Sequence, residues 1–178
     1  IIKVYSKKSI EKQTVVVESD WSSASYFYSI IALAKIGSEI KLSAYKSESL
    51  QGDSCLADMY THFGVDTTFG QDFIIVKKVR ETTQETLELD LKNAPDIAQT
   101  IAVTCFAEGI SCDLQGLHTL KIKETDRLEA LKAELTKLGA RISITNTSLH
   151  LEKSTTIHKN ISIKTYKDHR MAMAFAPL

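Results

Sequence analysis

The 178-residue sequence is 43% apolar and 25% charged, with 22 Lys plus Arg balanced by 22 Asp plus Glu. That composition belongs to a globular chain, and a net charge of 0 supplies neither the basic footprint of nucleic-acid binding nor a polybasic membrane patch. No apolar run reaches the roughly 18 residues a bilayer span requires, and Cys55, Cys105 and Cys112 form no C-x-x-C pair, which points to reduced thiols in a cytoplasmic setting.

Residues 1–13 lack a signal-peptide layout; Ile2, Val4 and the Lys7–Lys8 pair read at most as the end of a strand. Thr14 to Ser19, TVVVES, is β-branched and predicts a strand. Ser22 then caps a helix running to about Lys35, closed by Gly37. Glu39 to Tyr45 alternates as a strand does. A polar SESLQGD segment leads into a helix from Asp53 or Ser54 that carries Leu56, Met59, Tyr60 and Phe63 and stops at Gly64. Two short strands, Asp66 to Thr68 and Asp72 to Lys77, flank a turn at Gly70.

The pattern then repeats. Thr86 to Leu91 predicts a strand, and a helix begins at Asn93-Ala94-Pro95, with Pro early in the first turn, and runs to Gly109. Ser111 to Leu117 is the next strand, Lys121 to Gly139 the next helical unit, and Arg141 to Ile144 with Ser148 to Glu152 a hairpin. Gly37 is echoed 72 residues later by Gly109, and Gly64 75 residues later by Gly139. The fold class is therefore α/β (α+β), with two β-α-β-α-β-β units of roughly 73 residues and a third starting after Ile161. Ile97 to Phe106 and the terminal MAMAFA are apolar nearly all round, which predicts helices inside and sheets outside.

In KIKETDRLEALKAELTKLG, Leu128, Leu131, Leu135 and Leu138 form one helical stripe. Thr125 is the expected N-cap and Asp126 suits the positive end of the helix dipole, which puts Arg127 in the first turn beside Lys121 and Lys123. Cations there cost the helix on the order of 0.3–1 kcal/mol each. An anion about 4 Å away recovers roughly 4 kcal/mol at an effective dielectric near 20, before desolvation. Lys167-Asp168-His169-Arg170 repeats the arrangement, and Asn93-Ala94-Pro95-Asp96 is a third charged helix start. Converging, they would make an anion site with Asp96 and Glu124 available for proton transfer. Taken singly, Asp96 reads as a helix-dipole residue and Arg127 as a partner of Glu124 or Glu134. The five histidines show no metal-ligand spacing with one another or with the cysteines, and Gly-rich phosphate loops, G-x-S-x-G and dinucleotide fingerprints are missing. Neither a metal nor an organic cofactor is expected.

The strings PDIAQTIAV, KIKETDRLEALKAELTKLGA and TYKDHRMAMAFA, with WSSASYFYS and SLQGD upstream, closely resemble the EPSP synthase family of 3-phosphoshikimate 1-carboxyvinyltransferases. The resemblance spans residues 15–178 and implies two lobes, each of three such repeats, closing on substrate. It places the inter-lobe crossing near Ser47 to Gln51, so that residues 1–47 end a first lobe and residues 48–178 make most of a second. It implies enolpyruvyl transfer from phosphoenolpyruvate to shikimate 3-phosphate by a monomeric cytoplasmic enzyme, with no nucleic-acid or membrane partner. Carried over by position, Asp96 resembles the base that holds the shikimate hydroxyls, Lys123 a ligand of shikimate 3-phosphate, and Glu124 the proton donor. Arg127 and Arg170 resemble the phosphoenolpyruvate clamp, lined by His169. Thr119 stands where the family often has Asn, with a hydroxyl in place of the amide. The family's N-terminal Lys-Ser pair, Gly-containing loop, Ser-Ser-Gln phosphate site and late Lys fall outside these residues, so the chain alone is expected to be inactive. Two other readings remain at this point: a UDP-amino-sugar enolpyruvyl transferase, which relies on a catalytic Cys, and a non-catalytic anion-binding module of the same repeat.

Overall fold

The computed structural model describes residues 2–6, 9 and 11–178. In chain order the elements are α1 (Trp21–Ala32), β1 (Glu39–Ser43), α2 (Leu56–Met59), β2 (Val65–Phe69), β3 (Phe73–Lys78), β4 (Thr86–Asp90), α3 (Ala98–Glu108), β5 (Ser111–Gln115), α4 (Arg127–Lys137), β6 (Ile142–Ile144), β7 (Leu149–Leu151) and α5 (His169–Phe175). Single 3-10 turns extend α2 on both sides, so that Gly52–Phe63 is continuously helical, and another, Pro95–Ile97, leads into α3.

The two copies make two sheets. The first is ordered β1-β3-β2 and antiparallel throughout; the second is ordered β4-β5-β7-β6, with β4 parallel to β5 and the other pairs antiparallel. Between them lie the inner helices, as expected. Every residue of α3 from Ala98 to Phe106 is buried, because Ala and Thr alternate with Ile, Val and Phe around its whole circumference. Burying Ile101, Val103 and Phe106 contributes about 1.5–3 kcal/mol each. A helix enclosed on all sides must also satisfy its hydroxyls. Ser25 Oγ meets Thr100 Oγ1 at 2.9 Å, and Thr104 Oγ1 lies 2.9 Å from Ser29 Oγ and 3.0 Å from Tyr60 Oη. These i, i+4 pairs lock α1 against α3 through small residues.

Several expectations are corrected. The N-cap of α1 is Asp20, whose carboxylate accepts from Ser22 N, so Ser22 lies inside the first turn. The N-cap of α4 is Asp126, which accepts from Glu129 N, one residue after the expected Thr125. Both neighbours are capping residue types, and backbone extension at the Asp decides between them. Thr14 to Ser19 forms no strand: Val15, Val16 and Val17 are exposed, and only its end docks, Ser19 N donating to Ala44 O at 2.7 Å and the Glu18 carboxylate accepting from Trp21 Nε1 at 3.0 Å and Ser49 Oγ at 2.9 Å. Ile2 and Val4 are also exposed and outside any strand, while Lys7 and Lys8 lie outside the described residues.

The lobe boundary expected near residue 47 falls between elements that touch. Glu39–Ser43 pairs with Phe73–Lys77 across it, and Trp21, Tyr28 and Ile31 share one core with Ile97, Leu128 and Phe175. Ser47 to Gln51, where the resemblance puts the inter-lobe crossing, is the loop that leads from β1 to the helical segment 52–63. Among the described residues no helix is long and apolar enough to cross a membrane.

Candidate functional site

Two helix starts of the second copy, and the first turn of α5, meet at one end of the inner helices. Asp96 follows Pro95 at the start of the turn leading to α3; Arg127 is the first residue of α4; Arg170 is the second of α5. Arg127 is 1% exposed and its guanidinium faces carboxylates on three sides. Nε donates to Asp168 Oδ2 at 2.8 Å, Nη1 to Asp96 Oδ1 at 3.1 Å and Nη2 to Glu124 Oε2 at 2.5 Å. Lys123 Nζ sits 3.2 Å from Asp96 Oδ1, and Arg170 Nη2 3.5 Å from Asp96 Oδ2.

Three cations thus face three carboxylates, and the cluster is neutral as it stands. The cost anticipated for cations at a helix start is offset here by the protein's own acids rather than by a ligand. Exposure is graded: Asp168 and Arg127 are enclosed, Asp96 and Lys123 partly open, and the Glu124 side chain is 52% exposed. Glu124 is therefore the least enclosed carboxylate of the cluster. Arg170 Nη1 is buried without a hydrogen-bond partner among the described residues, which marks the place where an acceptor is wanted.

Asp168 holds the cluster from beneath. Burial works to raise its carboxyl, but the Arg127 guanidinium and the Arg170 N–H outweigh burial and hold it below the ordinary aspartate value. Its Oδ1 accepts from Arg170 N at 2.8 Å, so one carboxylate caps α5 and grips Arg127. Asp53, at the start of the helical segment 52–63, hydrogen-bonds Ser22 in the first turn of α1. Burial pushes the Asp53 carboxyl up, with the nearby charge of Asp96 adding to it. Burial likewise raises the phenol of Tyr26, against the pull of the Arg170 charge.

Of the residues singled out from the sequence, Asp96, Lys123, Glu124, Arg127 and Arg170 come together. Thr119 and His169 do not join their bonding. Thr119 Oγ1 is buried with no partner among the described residues, while the His169 side chain is exposed and makes no hydrogen bond there. The larger role of Asp168 was missed, as were Asp53 and Tyr26: the capping signal at Asp168 was legible, but its contact with a guanidinium 41 residues away was not.

A β-α-β-α-β-β unit preceded by a copy that lacks the first strand, with helices between the two sheets and a cluster of arginines and carboxylates at their starts, defines an α/β protein of repeated build. The family model for EPSP synthase (3-phosphoshikimate 1-carboxyvinyltransferase) matches residues 1–177, and the chain belongs to that family. A 3-phosphoshikimate 1-carboxyvinyltransferase of Bacteroides fragilis is 45% identical over 163 residues, covering 90% of this chain and 39% of the relative. One from Neisseria meningitidis is 35% identical over 160 residues, covering 90% and 36%. A solved EPSP synthase from Acinetobacter baumannii shares the fold, with a TM-score of 0.72 at 22% identity over 90% of this chain and 39% of that one. The chain thus spans somewhat over a third of the length of these relatives.

Proposed function

We propose that this chain carries the acid–base part of an enolpyruvyl transfer from phosphoenolpyruvate to shikimate 3-phosphate. The observation that carries the reading is the buried Arg127 among Asp96, Glu124 and Asp168, with the partnerless Arg170 Nη1 beside it. In the reaction a shikimate hydroxyl adds to C2 of phosphoenolpyruvate while C3 gains a proton; the tetrahedral adduct then loses phosphate and a proton from C3. Asp96 holds the hydroxyl and takes its proton. Glu124, displaced from Arg127 by the incoming anion, delivers the proton to C3. Arg127 and Arg170 bind the phosphoenolpyruvate carboxylate and phosphate, Lys123 faces shikimate 3-phosphate, and Thr119 and His169 reach substrate once the site closes. Preorganised cations around a developing negative charge are worth more in such an enclosed place than in water.

The names of the relatives favour this acceptor over a UDP-amino sugar. So do the thiols, since Cys105 and Cys112 are fully buried and Cys55 has no part in the cluster. The chain covers 39% of the Bacteroides fragilis relative, and we read the 178 residues alone as inactive. We read the complete protein as a cytoplasmic monomer. Phosphate release assayed on the complete chain tests the assignment: Asp96→Ala is expected to lower kcat by about 10²–10⁴-fold, the usual worth of a positioned base. Turnover at the normal rate by Asp96→Ala, or by the 178-residue chain on its own, would overturn it.

A further inference from the structure

Seven residues beyond Arg127 on the same helix, Glu134 is a fully buried carboxylate that the reaction does not use. It accepts from Tyr166 Oη at 2.7 Å, from Lys164 N at 3.0 Å and from Lys137 Nζ at 2.6 Å. Burial opposes its charge, and these three donors outweigh burial and hold the carboxyl below the usual glutamate value. The phenol of Tyr166 is in turn pushed up to about 12 by its bond to Glu134. Lys164 Nζ lies over the Tyr166 ring, 4.9 Å from its centroid.

The segment so held is strained. Tyr166 and Lys167 both have φ of +57°, a left-handed backbone that residues with a Cβ rarely adopt, and still less two in succession. Asp168 N closes the turn on Thr165 O at 2.9 Å. The turn delivers Asp168 to Arg127 and starts the helix that carries Arg170. Helix α4 therefore grips residues 164–168 at two points, through Glu134 at the turn's entry and Arg127 at its exit.

We propose that Glu134 and Tyr166 are positioning residues for the anion clamp: their part-buried bond keeps the left-handed turn in place and thereby sets where Arg170 and Asp168 stand relative to Arg127. The consequence for phosphoenolpyruvate rests on the clamp reading given above; the consequence for the turn does not.

Tyr166→Phe in the complete chain removes one hydroxyl and retains the ring. It is expected to raise KM for phosphoenolpyruvate about tenfold, with KM for shikimate 3-phosphate and kcat changed less than about threefold, because only the clamp moves. Amide exchange over residues 165–170 should quicken, while exchange in α3 stays as it was. Glu134→Gln, which keeps an oxygen for Tyr166 but turns an amide donor toward Lys164 N, should restore part of the affinity that Glu134→Ala loses. A parallel rise in both KM values, or an unchanged KM for phosphoenolpyruvate in Tyr166→Phe, overturns the proposal. If the parent chain turns over neither substrate, the function reading falls and exchange alone decides: quickened exchange at 165–170 in Tyr166→Phe sustains the positioning role, and unchanged exchange removes it.

Discussion

Arg127 is more dependent on its neighbours than a ligand-binding arginine on an open surface, and that determines how its substitution will behave. Replacing it with Met would leave Asp168 buried opposite no cation, and breaking an enclosed pair from one side costs about 3–5 kcal/mol. Arg127→Met is therefore expected to unfold at markedly lower urea and, on the function proposed above, to bind phosphoenolpyruvate poorly. The pH dependence separates the two effects. In the unsubstituted chain the Asp168 carboxyl lies below its ordinary 3.8, so the stability it contributes is complete above that value and is lost as pH falls through the folded value. Without the guanidinium, burial is opposed only by the backbone N–H groups of Arg170 and Met171, so the folded value rises and that variant loses less stability as its carboxyl protonates. The stability gap should be widest near neutrality and narrow toward pH 4, measured by urea unfolding at each pH. A gap that is constant with pH would mean that Arg127 acts there through packing rather than through Asp168.

The inner helices are organised by charge at both ends. The starts of α1, of segment 52–63 and of α3 carry Asp20, Asp53 and Asp96, acids that suit the positive end of a helix dipole. Their last residues meet at a buried lysine: Lys78 Nζ donates to Ala32 O at 2.6 Å, to Phe63 O at 2.9 Å and to Glu108 Oε1 at 3.4 Å. A cation is favoured there by terminal carbonyls that have no partner within their own helices. Gly64, in a left-handed conformation at φ +72°, leaves room for this, since a Cβ would stand 2.0 Å from Arg80 O. Lys78→Met keeps the volume and strands two carbonyls and a carboxylate, so it is expected to cost about 3 kcal/mol in urea unfolding. Because Lys78 sits at the opposite helix ends from Arg127, anion binding by the folded variant should be unchanged. A cost under about 0.5 kcal/mol would show that water satisfies those carbonyls instead. The signal for Lys78 was present in the sequence: alternation through Phe73–Lys78 puts it on the inward face with Ile74 and Val76. What alternation cannot convey is that three helix ends lie there, because that depends on how separate elements dock. The same limit explains why the charged helix starts were readable one by one, whereas the bonds from Arg127 to Asp96 and Asp168 needed the fold.

Across the whole molecule the repeat was legible from its glycines, because a left-handed residue after a helix recurs wherever the unit recurs: Gly37 and its echo Gly109 have φ of +92° and +67°, Gly64 and its echo Gly139 +72° and +102°. The copies nevertheless differ in one strand. In the second, β4 runs parallel to β5 from Thr86 to Asp90, and Leu91 N then donates to Gln115 O at 2.9 Å. In the first, Ser19 N donates to Ala44 O at the corresponding place, but Thr14 to Glu18 has no ladder to β1. β-branched composition fixes a preference for extended backbone, while a strand also requires a partner edge and a face to bury, which composition does not specify. Leu87 is 2% exposed, and Val15, 72 residues earlier, is 77% exposed. The two positions make a matched test in the 178-residue chain. Leu87→Ala should cost about 2–5 kcal/mol, as large-to-small changes in a packed core do, and Val15→Ala less than about 0.5 kcal/mol. Comparable costs at the two positions, read from urea midpoints, would mean that Thr14 to Glu18 pairs with β1 in solution and that the first sheet has four strands like the second.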